Sequence, residues 1–202
     1  YLNEYEKAES IFKNILKNSS EDPPALVNYA RLKNILLDFK SSTELYQKAL
    51  KYVKNDLGIW QNLASVYQNL GEFDKANVIL KKILEINPKF IQAHISLSKI
   101  NNYSENIKNL SQMISLNKND ELNKKEKSDL EFAIGKAYDD QKNYELSIKY
   151  FELANKNRKE LVDYDFKSEE KLFKSIQSYF EKIDIRNNIE DKILKKIIFI
   201  VV

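Results

Sequence analysis

The sequence repeats at a spacing of 34 residues, and no other feature limits its fold as strongly. Tyr5, Phe39 and Phe73 fall in register, each 34 residues after the last. So do Ala8, Ser42 and Ala76; Phe12, Tyr46 and Leu80; and Ile15, Ala49 and Ile83. Within a unit these positions lie at i, i+3, i+7 and i+10, one face of an α-helix. The small residue of the second set lets that helix come close to its neighbour. A unit of this size cannot bury its apolar face alone, whereas stacked units bury a shared core and leave an extended surface free.

Composition agrees with helices joined by short turns. Three Gly and three Pro in 202 residues are too few for a β-rich or loop-rich chain, so an all-α fold is expected. A hydrophobic fraction of 43% supplies a core, and the 31% of charged residues then reads as a solvated surface rather than disorder. The absence of Cys excludes a disulfide framework, a thiolate metal site and a Cys nucleophile. It fits a reducing compartment, and a cytoplasmic location is expected. The net charge of +3 is small for this length, with acids mixed among the bases, so no nucleic-acid partner is expected. No run approaches the ~20 apolar residues of a membrane helix, and no membrane partner is expected either.

The clearest unit is 57–90. Trp60, Leu63, Ala64 and Tyr67 lie on its first helix, Gly71 marks the turn, and Phe73, Ala76, Leu80 and Ile83 lie on its second. Asn87-Pro88 ends the unit, because Pro lacks a donor and restricts the residue before it. This pattern resembles the tetratricopeptide repeat, which has Trp, Leu-Gly, Tyr, Ala, Phe, Ala and Pro at these offsets. Ala64 stands where that family usually has Gly. The resemblance implies a right-handed α-solenoid of helical hairpins. Unit 128–161 repeats the pattern with Ile134, Gly135, Tyr138, Tyr144, Ser147, Phe151 and Ala154. In 23–56, Pro23 and Pro24 open the first helix, where Pro is tolerated, and the aromatic of that helix is missing. Residues 1–22 supply only a second helix, so a first helix is expected upstream. Unit 91–127 starts in register with His94 and Leu97, then departs. Its first helix is expected to end near Asn101-Asn102, and a polar stretch runs from Asn117 to Lys127. The Phe73-to-Tyr144 spacing is accordingly 71, three more than two repeats.

The repeats thus fill 1–164. Residues 165–184 are expected to form a capping helix, with Leu172, Phe173, Ile176, Tyr179, Phe180 and Ile183 on one side. After a polar break from Asn187 to Asp191, the apolar run Ile197 to Val202 reads as a buried strand. A lone terminal strand has no sheet in an all-helical chain, so 185–202 is expected to be a linker and the first strand of a further domain. A second resemblance bears on this. The run from Phe132 to Gln141, with Tyr144, Phe151, the run from Ala154 to Lys159, and Tyr164-Asp165, is similar to the last repeat of bacterial tetratricopeptide–sulfotransferase fusion proteins. That resemblance implies that the chain is the N-terminal part of a sulfotransferase whose repeats position the acceptor. Its cofactor would be 3′-phosphoadenylyl sulfate, held by a Gly-x-Pro-Arg-Ser-Gly-Thr loop beyond Val202. No residue of that loop is present, so neither a cofactor nor a catalytic residue is assigned to this chain.

Individual reactive residues read as structural. The lone His94 has no second His or Cys to complete a metal site, and a packed helix residue is expected. Asp139-Asp140 reads as a solvated hairpin turn. The Tyr and Phe stripes at helical spacing read as core. What remains is the concave groove, which in the family resembled is lined by the second, fifth, ninth and twelfth positions of each first helix. Those positions give Arg31 and Asn34; Gln61, Ser65 and Gln68; Gln92, Lys99 and Asn102; and Asp129, Phe132, Lys136 and Asp139. Their amides, hydroxyls and charges suit an extended peptide backbone, so a protein or peptide is the expected partner. The clamp that chaperone adaptors use for a terminal carboxylate is not matched. Asn62 occupies its centre, but Val27, Gln92 and Ser96 hold the corners.

Overall fold

The computed structural model describes residues 2–104, 107–119, 122–161 and 166–182. Among these are ten α-helices and no strand; the expected strand at 197–202 and its linker lie outside the described residues. The chain divides into two units, Tyr1–Leu161 and Val162–Val202. The first holds α1 (Leu2–Asn18), α2 (Pro23–Ile35), α3 (Phe39–Tyr52), α4 (Leu57–Asn69), α5 (Phe73–Ile86), α6 (Ile91–Ile100), α7 (Ile107–Asn117), α8 (Lys124–Asp140) and α9 (Tyr144–Lys159). The second holds α10 (Phe166–Lys182), the amphipathic helix the apolar pattern predicts.

Local chemistry sets the helix starts. Asp22 and Asp56, one repeat apart, cap α2 and α4 by accepting from the backbone N–H of Ala25 at 2.7 Å and of Ile59 at 2.9 Å. Each satisfies a donor that the first helical turn leaves without a partner. Asn123 and Glu126 form a reciprocal capping box at the start of α8. The expected polar insertion from Asn117 to Lys127 is therefore shorter than its composition suggests, because Lys124 to Lys127 already belong to α8.

Three hairpin turns share one geometry. Leu37, Gly71 and Lys142 take left-handed backbone conformations, with φ of 60°, 74° and 59°. After each, an N–H reaches back five residues: Asp38 to Lys33, Glu72 to Tyr67 and Asn143 to Tyr138, all 2.9 Å. These are Schellman turns, which satisfy carbonyls at the helix end. Only one of the three uses Gly, although a side chain is strained there.

Small residues then let the helices of each pair meet. Ala30, Ala64, Ser98 and Gly135 hold equivalent places on α2, α4, α6 and α8, and all are buried. Ser42 Oγ donates to the Ala30 carbonyl at 2.8 Å, and Ser128 Oγ to the Ala154 carbonyl at 2.9 Å. At Gly135 an added Cβ would lie 2.7 Å from the Phe151 ring. The stripe expected to be core is buried at its inner positions, with Tyr46, Ala49, Ala76, Leu80, Ile83 and Ala154 inaccessible. Its first position is not. Phe73 is 52% exposed and Tyr144 58%, because each opens its helix at the hairpin tip, where the facing helix has ended.

Two apolar clusters result. One runs from Leu26 to Leu97, the other from Tyr103 to Ala137. Between them the regular pairing changes. α6 ends with Asn101 in an extended conformation instead of a Schellman turn, and it packs more closely on α8 than on its sequence neighbour α7. His94 is fully buried at this junction, as a packed helix residue should be. Its Nε2 donates to the Pro88 carbonyl at 2.8 Å, and Nδ1 lies 2.8 Å from the Asn109 side-chain amide. A neutral ring makes both bonds when that amide turns its NH2 toward Nδ1.

At the other end α1 is tied to α2 through one carboxylate. Glu9 Oε1 accepts from Tyr29 Oη at 3.0 Å and pairs with Lys13 at 2.8 Å and Lys33 at 3.0 Å. Phe12 stacks on Tyr29 beside it. Hydrogen bonds from Lys13 and then Lys33 hold the Glu9 carboxyl down to about 2. A depressed carboxyl contributes stability above its unfolded pKa and loses it as pH falls through the folded one. Protection of the α1 amides, taken relative to intrinsic exchange, should therefore fall between about pH 4.5 and about pH 2, and Glu9→Gln should abolish that fall; an unchanged protection profile in the variant would refute the assignment. Separately, Leu37→Gly and Lys142→Gly should each raise stability by about 0.5–1 kcal/mol in thermal melts, since left-handed strain is relieved and Leu37 is 72% exposed.

Candidate functional site

The close packing of α6 on α8 creates a groove of about 610 Å³. α6 contributes Gln92, Ile95, Ser98 and Lys99, and α8 contributes Asp129, Phe132, Ala133 and Lys136. Arg158 reaches in from α9 and pairs with Asp129 at 3.2 Å. Five of the twelve residues expected to line a groove thus come together here: Gln92, Lys99, Asp129, Phe132 and Lys136. Ile95, Ser98, Ala133 and Arg158 were missed. Ile95 holds the fifth position of its helix but was not chosen, Ser98 and Ala133 lie between the positions used, and Arg158 comes from a second helix, where no lining was sought.

The apolar floor has its own support. Phe132 packs against Phe151 with ring centroids 6.2 Å apart. Phe151 lies against Gly135, whose missing side chain gives the ring its space. A hydrogen atom at 135 therefore sets where Phe132 stands.

The ends of the groove are held by ionic contacts. Lys136 Nζ donates to the Asn101 carbonyl at 2.7 Å, pairs with Asp140, and stands 5.6 Å from the Tyr103 ring centre. Asp140 also accepts from the Tyr103 backbone N–H at 3.0 Å, and Gln141 Nε2 donates to the Tyr103 carbonyl at 3.2 Å. Asp140 is consequently not part of a solvated turn, as expected from sequence; it is half-buried and locks the segment after α6 onto the end of α8, while Asp139 stays exposed. Burial pushes the Tyr103 hydroxyl well above its ordinary pKa, with the Asp140 charge adding to it. With Lys136 and Arg158 engaged, Lys99 is left as a groove cation without a carboxylate partner among the described residues.

The remaining expected residues are spread along the stack. Gln61 Nε2 donates to Ser96 Oγ at 2.7 Å, and Gln68 Nε2 to the Ser96 carbonyl at 2.9 Å, so both fasten α4 to α6. Asn34 accepts from Asn69 at 3.2 Å, joining α2 to α4. Arg31 is exposed and lies beside Asn28; Ser65 is half-buried on α4. Asn102 falls past the end of α6 and accepts from the Ser104 N–H at 2.9 Å, so counting helical positions that far misplaces it.

Residues 38–100 match one family model, described as a tetratricopeptide repeat, and residues 132–160 match a second with the same description. Both segments are tetratricopeptide repeats. Among solved structures, MamA is similar over 80% of this chain and 93% of its own, at 17% identity and a TM-score of 0.63. YrrB, described as a TPR protein with an unusual peptide-binding site, covers 77% of this chain and 79% of its own at 19% identity, with a TM-score of 0.59. BtubC (BKLC) from P. vanneervenii reaches a TM-score of 0.64 at 16% identity, over 80% of this chain and 76% of its own. At these identities the likeness is one of fold. No curated protein matches the sequence. The first matched segment takes in α6 and the second begins within α8, so α7 lies between the two, where α6 packs on α8 more closely than on α7. Among the described residues no cluster of His, Asp and Glu is placed to hold a metal ion, and no helix is long and apolar enough to cross a membrane.

Gly135→Ala should drive a methyl group into Phe151, cost about 1–3 kcal/mol in denaturant unfolding, and displace Phe132. An unchanged midpoint would show that the Phe151 ring can move aside freely.

Proposed function

We propose that the chain is a tetratricopeptide scaffold whose α6–α8 groove holds an extended segment of a partner protein. The observation that carries this is the groove itself. An apolar floor of Ile95, Phe132 and Ala133 is rimmed by Gln92, Lys99 and Asp129 on two adjacent first helices. Side-chain amides and charges on the rim suit the N–H and C=O groups of an extended backbone, and the floor suits an apolar side chain of the segment. The fold shared with YrrB supports the same reading.

Selection of displayed random peptides on the whole chain supplies ligands for the test. Phe132→Ala should weaken the selected peptides by about 2 kcal/mol, roughly thirtyfold, because a central aromatic anchor dominates such contacts. Peptides that bind the variant as tightly as the parent chain would place the binding surface elsewhere.

A second reading rests on the likeness of 128–164 to the last repeat of tetratricopeptide–sulfotransferase fusions. In it the chain is the N-terminal region of a sulfotransferase that uses 3′-phosphoadenylyl sulfate, and the same groove positions the acceptor. Translation of the parent gene past Val202 decides it: a Gly-x-Pro-Arg-Ser-Gly-Thr loop supports the reading, and a frame without one rejects it.

A further inference from the structure

A second groove, of about 650 Å³, opens between α3 and α5 with α4 as its floor. It uses a different face of α4 from the one that meets α6. Trp60, Leu63 and Tyr67 line it, whereas Gln61 and Gln68 point to Ser96. Its volume falls in the range of small-molecule sites, which are mostly apolar with a few placed polar groups.

The groove is polarised along its length. In antiparallel hairpins the end of α3, the start of α4 and the end of α5 lie together. Lys54, just past α3, Trp60, in the first turns of α4, and Lys82, near the end of α5, therefore share one end. Lys82 Nζ stands 4.2 Å from the Trp60 ring centre, a cation–π contact. No carboxylate lines the groove, and among the described residues neither Lys54 nor Lys82 has an acidic partner. From that cationic end, Leu50, Leu63 and Ile79 provide an apolar path. At the other end a hydrogen bond from Gln47 Nε2 to Tyr67 Oη, 2.9 Å long, ties the α3 wall to the α4 floor. Trp60 to Tyr67 is seven residues of helix, a path of roughly 10 Å. Past the bridge the lining changes character, with Glu44 and Glu72 beside Lys40 and Lys75.

We propose that this groove binds a medium-chain fatty carboxylate, its chain along Leu50, Leu63 and Ile79 and its head group at Lys54 and Lys82. Two cations at one end match one anionic head, and the apolar path matches an unbranched tail. The change of lining at Gln47 and Tyr67 suits a molecule that stops there; a polypeptide would have to continue into a stretch carrying Glu44 and Glu72.

Trp60 is the single Trp of the chain, so its emission reports on this groove alone. Decanoate, titrated into the full chain below its micellar concentration, should produce a saturable one-to-one change in that emission, with the same stoichiometry by calorimetry. Decanol and decyltrimethylammonium should not reproduce it. The Lys54→Ala/Lys82→Ala double variant, altered only at exposed side chains, should keep its circular dichroism and bind decanoate roughly tenfold more weakly or less well still. Three results would overturn the proposal: no saturable response, equal responses to the three amphiphiles, or undiminished calorimetric binding by the double variant. Displacement of decanoate by a lower concentration of an acidic peptide would also overturn it, by giving the groove to a protein partner.

Discussion

Each hairpin depends on a crossing point where two helices touch with almost no side chain between them. Ala30, Ala64, Ser98 and Gly135 supply that point on successive first helices. Larger residues there would push the second helix outward and open the apolar stripe to water. The close contact also brings hydroxyls within reach of carbonyls, as Ser42 and Ser128 show. At Gly135 the crossing is tight enough that an aromatic ring occupies the space a methyl group would need. Through Phe151 and Phe132, the position of the groove floor follows from that missing methyl.

Where the hairpin rule is relaxed, the molecule gains its most distinctive surface. α6 leaves its helical path at Asn101 in an extended conformation, so no tight turn folds α7 directly back on it. α8 takes the vacated neighbourhood, and Lys136 and Asp140 fasten it to the segment that follows α6. The groove proposed for a partner lies along that contact. Its polar rim is expensive to leave dry and its floor is expensive to leave wet, a combination that favours an occupant with both kinds of group.

Much of this fold was legible in the sequence because its causes are periodic. The spacing of Ser42 and Ala76, or of Asp22 and Asp56, can be counted without coordinates, and helix existence followed from it. What escaped were properties that depend on where a neighbouring helix stops. Phe73 and Tyr144 share the spacing of core residues but lie at hairpin tips, where nothing faces them. Asn102 was assigned a helical position although it lies two residues past the end of α6, and Asp140 looked like a surface charge until the segment carrying Tyr103 was seen to fold onto it. For the α6–α8 groove, counting along first helices found five lining residues and missed Arg158, which arrives from a second helix.

The division of the apolar interior into two clusters that meet at α6 carries a mechanical implication. A repeat array behaves as a row of coupled blocks, each held chiefly by its neighbours, and the weakest coupling decides where the row yields. Here the boundary is crossed by the packing of α6 on α8 and by a few polar ties, among them the His94 link to Asn109 and the Lys136 link to the Asn101 carbonyl. Under tension, or in transient thermal opening, such a row would part beside α6 before either cluster melts, giving two blocks that each keep their own interior.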